Sequence, residues 1–314
     1  MNALPLRLMA CLTSAALCLP ASALAITVPL GYTDSLVATL PGPNSNFYGD
    51  IAVDAAGNRY VTGGVAQSAY RVDSAGAVTT FATGSGTSLG LEVTGGNLYY
   101  GTGNNLNVKS LSGGASSVLT TASGNVTGIT ASQDGSNLFL STNTGLWRYN
   151  IASHALSSTS IAGGYYVSSA LGKDGSVFVS DYNGGRILKY DPVTNLSSIF
   201  KTGLSQVNGL VVDPNSGDVF AAQEGNSQLW RYSANGLVST LFASGLPIDG
   251  GWWPTGLAFS NNGDRLYYLD RGVGSTFNLR QISGFPAAAV PEPASLFLTG
   301  LGLLGLAGLR RRKA

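Results

Sequence analysis

One pattern recurs six times along the 314-residue chain and limits its fold more than any other feature. Each copy begins on a short apolar run: Asp50-Ile-Ala-Val-Asp54, Gly90-Leu-Glu-Val-Thr94, Gly128-Ile-Thr-Ala-Ser132, Ser169-Ala-Leu-Gly-Lys173, Gly209-Leu-Val-Val-Asp213 and Gly256-Leu-Ala-Phe-Ser260. The copies stand 40, 38, 41, 40 and 47 residues apart. A period near 40 belongs to stacked supersecondary units, and no sustained 3.6-residue apolar period runs between the anchors, so the unit is built from strands. Second strands follow a turn, as in Gly57-Asn-Arg-Tyr-Val-Thr62 and Gly175-Ser-Val-Phe-Val-Ser180. Third strands follow at Leu146-Trp-Arg-Tyr149 and Leu229-Trp-Arg-Tyr232, and fourth strands at Val78-Thr-Thr-Phe81 and Leu237-Val-Ser-Thr-Leu241. Four strands per copy predict a propeller blade. The 43 glycines and a charged fraction of only 11% suit short strands joined by tight turns, and exclude a helix-rich enzyme or a coiled coil.

The last copy has three strands, Thr255 to Ser260, Arg265 to Asp270 and Phe277 to Ile282, and runs out at Pro286. An unassigned segment, Ser35-Leu-Val-Ala-Thr-Leu40, precedes the first copy and reads like the fourth strands elsewhere. It is expected to complete the last blade and close the ring, which hides strand edges that would otherwise pair with other chains. The fold class is therefore all-β, a six-bladed β-propeller of four-stranded blades closed by an N-terminal strand.

The two ends read as targeting signals. Residues 1–25 open with Arg7, run apolar from Leu8 to Leu19 and end Ala21-Ser22-Ala23-Leu24-Ala25, the make-up of a secretory signal peptide for the Sec machinery, cleaved after Ala25. Cys11 and Cys18 both fall inside it, so the exported chain has no thiol for disulfides, thiol catalysis or a cysteine zinc site. At the other end Val290-Pro291-Glu292-Pro293-Ala294-Ser295 leads into an apolar run, Leu296 to Leu309, and then Arg310-Arg311-Arg312-Lys313. This order resembles the PEP-CTERM sorting signal of exported bacterial proteins. The prolines stiffen the motif, the apolar run enters a bilayer but is short of a stable span of about 20 residues, and the basic cluster holds the end on the cytoplasmic side. The resemblance implies handling by an exosortase: transient anchoring by a C-terminal transmembrane helix, cleavage near the motif, and transfer to the cell envelope or extracellular matrix of a Gram-negative bacterium. The expected organisation is a leader at 1–25, a propeller at 26–285 and a sorting tail at 286–314. Gly300-Leu-Gly302-Leu-Leu-Gly305 matches the dinucleotide fingerprint but lacks the βαβ unit that the fingerprint requires, and reads as a small-residue membrane helix.

The repeats resemble six-bladed propellers of the NHL and SMP-30/gluconolactonase type. Asp181-Tyr-Asn183-Gly-Gly-Arg186-Ile-Leu-Lys-Tyr190-Asp191 is similar to the NHL turn and third strand, and Asn208-Gly-Leu-Val-Val-Asp-Pro-Asn-Ser-Gly217 to the first strand and turn of lactonase blades. SMP-30-type lactonases hold a divalent cation at the channel mouth, and that resemblance makes Asp50, Asn208 and Asp249 the positional candidates for Ca²⁺, a cation that takes oxygen ligands. Asp50 stands where the family has Glu, and turn Asp and Asn residues more often bond their own backbone.

No catalytic residue is assigned. The one histidine outside the leader, His154, sits in a turn of the third copy and is expected to be solvated. Between residues 26 and 290 there are 12 Lys and Arg against 15 Asp and Glu, a net of −3, with no basic face for nucleic acid. Arg71, Arg148, Lys189 and Arg231 recur at one third-strand position, which suits either an acidic polysaccharide or, more simply, pairing with neighbouring acids. The longest departure from the repeat, Gly245-Leu-Pro-Ile-Asp-Gly-Gly-Trp252-Trp253-Pro254, puts two indoles in a Gly-rich loop, either as a binding platform or as a plug over the channel. Tyr165 and Tyr166 occupy the matching entrance to the fourth blade, and Asp181, Tyr182 and Asn183 a loop on the same rim. That rim is the candidate surface for an extracellular polysaccharide or a surface protein. The expected function is a binding module; the alternative is a cation-dependent envelope hydrolase or lyase of SMP-30 type.

Overall fold

The computed structural model describes residues 26–42, 49–62, 68–83, 90–246, 256–271 and 276–287. Residues 1–25, Asp249, Trp252, Trp253 and the sorting motif Val290, Pro291, Glu292 and Pro293 lie outside these residues.

Among the described residues twenty-four strands form six antiparallel sheets of four. The first blade holds β2 (Ile51–Val53), β3 (Arg59–Thr62), β4 (Ser68–Val72) and β5 (Val78–Thr83), and the second β6 (Leu91–Thr94), β7 (Asn97–Thr102), β8 (Asn105–Ser110) and β9 (Ser117–Thr121). The third is β10 (Val126–Ala131), β11 (Asn137–Thr142), β12 (Gly145–Asn150) and β13 (Leu156–Ala162); the fourth is β14 (Tyr166–Leu171), β15 (Val177–Asp181), β16 (Arg186–Asp191) and β17 (Leu196–Thr202). The fifth is β18 (Val207–Val212), β19 (Val219–Gln223), β20 (Gln228–Tyr232) and β21 (Ser239–Ser244). The sixth joins β22 (Leu257–Phe259), β23 (Arg265–Arg271) and β24 (Thr276–Ser283) to β1 (Thr33–Pro41), which supplies its outer strand. The up-and-down order gives the ring two rims. One, the turn rim, carries the first-to-second and third-to-fourth turns; the other carries the second-to-third loops and the links between blades.

Six apolar clusters fill the six interfaces between blades. Second strands such as β11 and β19 are buried at every position because each is covered on both faces. Outer strands such as β17 are largely exposed and rich in serine and threonine. The repeat's glycines follow from convergence around the axis: a Cβ on Gly90 would stand 2.9 Å from the backbone of Gly128, and one on Gly256 would stand 2.8 Å from the Cα of Asp50. Pairing also corrects one anchor. Ser169 faces Val179 as Leu91 faces Tyr100 and Leu210 faces Ala221, so Ser168, not Ser169, is equivalent to Asp50 and Gly90. A Ser at that place removed the Gly signal that marks most copies.

The ring closes on a buried ion pair. Asp34 of β1 accepts from Arg280 Nη2 at 2.5 Å and from the Tyr268 hydroxyl at 2.8 Å, and the Asp34 and Arg280 side chains are only 4% and 11% exposed. The third-strand bases are half-buried and serve as braces: Lys189 and Arg231 pair with Asp174 and Asp218, while Arg71 and Arg148 donate to Asn58 and Asn137. Trp147 and Trp230, one residue earlier, are half-buried against the interface clusters.

Candidate functional site

A groove of about 650 Å³ opens on the rim opposite the turn rim, between the third and fourth blades. Its walls come from the β11–β12 loop (Asn143, Thr144), the link from β13 to β14 (Ala162 to Tyr166) and the β15–β16 loop (Asp181, Asn183, Gly184, Arg186). The structure thus brings together four of the residues singled out from sequence: Tyr165, Tyr166, Asp181 and Asn183. They differ in what they offer. Tyr166 is 2% exposed, its ring lies in the core and its hydroxyl donates to the Ala162 carbonyl at 3.3 Å. Asp181 is buried too and shapes the loop by accepting from the Gly184 N–H at 2.9 Å and from Arg186 Nε at 2.7 Å. Asn183 is exposed, Tyr165 is half-buried, and Arg186 keeps 39% of its side chain in solvent.

Tyr182 turns away from the groove. Its ring meets Tyr165 edge to face at 5.8 Å, and its hydroxyl donates to Glu224 Oε2 at 3.0 Å. Asn208 Nδ2 donates to the same oxygen at 3.1 Å, so a polar chain runs from the groove to the inner strand of the fifth blade. Burial, and then the bond to Glu224, push the Tyr182 phenol well above its usual range, and burial with the Glu224 charge raises Tyr165. Both phenols are neutral donors across the physiological range. Glu224 sits in a 3₁₀ turn, Glu224–Asn226, and carries no motif that sequence could flag. Arg186 was visible only as part of the NHL-like segment.

The central channel, about 510 Å³, is a second cavity, lined by first-strand residues and the turns that follow them, among them the polar Thr130, Gln133, Ser169 and Asn261 and the two acids Asp50 and Glu92. Asp50 accepts from the N–H of Ile51 at 2.9 Å and of Leu91 at 3.2 Å, and Glu92 from the N–H of Val93 at 3.0 Å and of Ala131 at 3.2 Å. Each carboxyl therefore ties its own blade to the next. Burial pushes Asp50 up to about 8 and Glu92 up to about 7. Glu92 had a signal that sequence reading passed over, an acid between Leu91 and Val93 in the middle of an inner strand.

Of the three cation candidates, two have other partners and one is not described. Asp50 bridges the first two blades, Asn208 gives its amide to Glu224, and Asp249 lies outside the described residues. Among the described residues no three His, Cys, Asp or Glu side chains gather in a way that could hold a metal. His154 is not simply solvated as expected: its Nδ1 meets the hydroxyl of the buried Tyr149 at 2.7 Å, as Asn195 Oδ1 meets that of Tyr190 at 2.9 Å one blade on. Both turn residues take positive φ, so His154 is a structural cap.

Residues 289–313 match the PEP-CTERM protein-sorting motif, which implies an exported protein processed by an exosortase and destined for the envelope or the extracellular space. No curated protein sequence matches the chain. Among solved structures, a putative gluconolactonase is 15% identical with a TM-score of 0.63, over 82% of this chain and 93% of its own. A gluconolactonase from Xanthomonas campestris is 12% identical, TM-score 0.63, over 80% of this chain and 89% of its own. Virginiamycin B lyase from Staphylococcus aureus is 13% identical, TM-score 0.59, over 80% and 99%. Identities this low establish the fold alone. Among the described residues no helix is long and apolar enough to cross a membrane, and the run from Leu296 to Leu309 lies outside them.

Proposed function

We propose that this chain is an exported binding module, with its leader removed after Ala25, its propeller at 26–285 and its sorting tail at 286–314, and that it displays the groove between the third and fourth blades to an extracellular polysaccharide. The observation that carries this is the groove's make-up. Half-buried Tyr165 offers an apolar ring face, exposed Asn183 an amide, and Arg186 a guanidinium still partly in water, a mixture suited to stacking on a sugar and bonding its hydroxyls. Trp252 and Trp253, which precede the first strand of the sixth blade in the sequence, are further candidates for ligand contact. A glycan array on the purified propeller, followed by titration, tests the reading. Tyr165→Ala and Asn183→Ala should each weaken the best ligand about tenfold, or about 1.4 kcal/mol. Unchanged affinity in both would remove the groove as the site, and a surface protein captured at the same rim would change the ligand but not the module.

A second reading, a hydrolase or lyase of the kind its structural neighbours are named for, draws on the channel, where two carboxyls stay protonated close to neutrality. Its Ca²⁺ would need donors beyond the described ones. Elemental analysis with melting curves in the presence and absence of chelator decides it: bound Ca²⁺ whose removal lowers the melting temperature would favour this reading and justify a lactone screen.

A further inference from the structure

We propose that, while its tail is in the membrane, the propeller stands on its turn rim, with loop tips of the fourth to sixth blades resting on the lipid surface and the groove facing away from it. This rests on the reading of the tail as a membrane anchor before processing.

The first observation is where the tail leaves. After β24 the chain crosses the turn rim inward: Phe285 is buried against Phe220, Phe242 and Phe259 at the junction of the fifth and sixth blades. The next carbonyl, that of Pro286, accepts from Asn215 Nδ2 at 2.8 Å, and the same amide reaches the carbonyl of Asn262 at 3.0 Å. Asn215 and Asn262 lie in first-to-second turns, so the last described hydrogen bond before the sorting motif is on the turn rim. However the following residues fold, the ten steps from Pro286 to Leu296 reach at most about 33–36 Å. For the groove rim to face the bilayer, the tail would first have to cross about 14 Å of a four-stranded blade and then descend about 20 Å along a six-residue strand. That route uses the whole reach with the chain fully extended, whereas leaving directly from the turn rim uses little of it.

The second observation is independent of the tail. The described large apolar side chains that stand most exposed include Leu30 at 104%, Val193 at 93% and Leu237 at 82%, with Leu196 at 67% and Val238 at 61%. Val193 tips the β16–β17 turn, Leu237 the β20–β21 turn, and Leu30 the turn three residues before β1. They occupy three successive blades on one rim and flank the tail's exit. Water-exposed apolar tips in a row mark a surface that meets something apolar, and lipid is the partner that the adjacent anchor supplies. The charges on this rim largely offset one another, Asp218 by Arg231 and Asp191 beside the Val193 tip by exposed Lys173, so no basic surface is offered to anionic headgroups and the contact is with neutral lipid.

The test uses the full chain from Ile26 onward in phosphatidylcholine vesicles, with headgroup spin labels as quenchers. No thiol lies beyond residue 25, so single cysteines report cleanly. Ala234→Cys and Ala55→Cys place exposed probes on the turn rim; Ser123→Cys and Thr202→Cys place them on the opposite rim. Fluorophores at the first pair, and above all at Ala234, should be quenched several-fold more than those at the second. The triple change Leu30→Ser, Val193→Ser, Leu237→Ser should reduce quenching at Ala234 while the chain still floats with the vesicles, and a twelve-residue Gly/Ser insert after Ala287 should erase the difference between rims. Equal quenching on the two rims, or stronger quenching on the groove rim, overturns the orientation. A triple variant that matches the parent removes the loop tips as the contact. If the full chain does not float with vesicles, the anchor reading itself fails, an outcome distinct from the others.

Discussion

Two Asp–Arg pairs do opposite work in this ring. At the closing seam Asp34 and Arg280 are almost wholly enclosed, and the Tyr268 hydroxyl completes the acid's partners. At the groove Asp181 is just as buried, at 5% side-chain exposure, but its Arg186 keeps more than a third of its surface in water. The difference lies in what covers the guanidinium. At the seam two chain ends close over it, so the pair must be matched or the charge is stranded; at the groove nothing covers it, and the same chemistry leaves a donor available to a ligand.

The sharpest way to break that comparison is to remove the acid from each pair. Asp34→Ala should cost about 3–5 kcal/mol in denaturant unfolding, because it leaves Arg280 buried without its principal partner and loosens β1. Asp181→Ala should cost less, since water reaches Arg186; what it loses is the bond that holds the Gly184 turn. Equal losses at the two sites would mean that burial of the guanidinium is not what separates them. Arg280 also stands 3.8 Å from the buried carboxylate of Asp270, so double replacement of Asp34 and Arg280 by apolar residues should recover only part of the loss, the remainder being the cation taken from beside Asp270.

The channel carboxyls sharpen the contrast from another side, because their bonds come from backbone N–H groups. Asp50 rises from 3.8 to about 8 and Glu92 from 4.5 to about 7, both mainly through burial. A folded pKa above the unfolded one contributes stability that is complete below the unfolded value and is lost as pH rises through the folded one. The protein should therefore melt several degrees higher near pH 5 than near pH 9, with the decline running through about pH 7 and then 8. The exposed Asp134, held down to about 2 by bonds from Ser132 and Ser136, has the opposite sign, and its contribution is lost only in strong acid. Glu92→Gln should flatten the part of the decline below about pH 7 and leave the part toward pH 8, which belongs to Asp50. A melting temperature that does not fall between pH 5 and 9 would show that these two groups are ionised in the folded ring.

Much of this architecture was legible in the sequence because a propeller repeats its physics. The converging first strands demand small residues at one position, which Gly90, Gly128 and Gly256 supply, and the doubly covered second strands demand unbroken apolar runs. Legibility failed wherever one copy solved the shared problem differently. Ser168 fills the glycine position and its hydroxyl oxygen accepts from the Leu210 N–H at 3.1 Å, so the glycine that would mark the fourth anchor is missing from the sequence. His154 looked like a solvated turn residue because its partner, Tyr149, stands across the hairpin. At the candidate site the sequence pointed to the right loops but not to the roles of their residues: Tyr165 and Tyr166 are adjacent, yet one rings the groove and the other is core. Glu224 was invisible, since nothing in Gln223-Glu224-Gly225-Asn226 reveals that Tyr182 and Asn208, from two blades, meet on it.

The smallest effect on stability belongs to Arg186, which makes its replacement the cleanest probe of the groove. Arg186→Ala removes a partner from buried Asp181, but that carboxylate keeps the Gly184 N–H at the edge of an open groove, so the cost should fall at the low end of about 1–3 kcal/mol. Arg186→Lys keeps the charge and loses the planar fork, and its stability should stay within about 0.5 kcal/mol of the parent. If the guanidinium bonds a ligand directly, both changes weaken glycan binding, and Lys restores only part of what Ala removes. If Arg186 serves only to hold the loop, affinity should follow stability, with Lys close to the parent in both. Titration and melting of the two variants side by side separate these cases, and a Lys variant with parental stability and clearly reduced affinity would place the guanidinium in contact with the ligand.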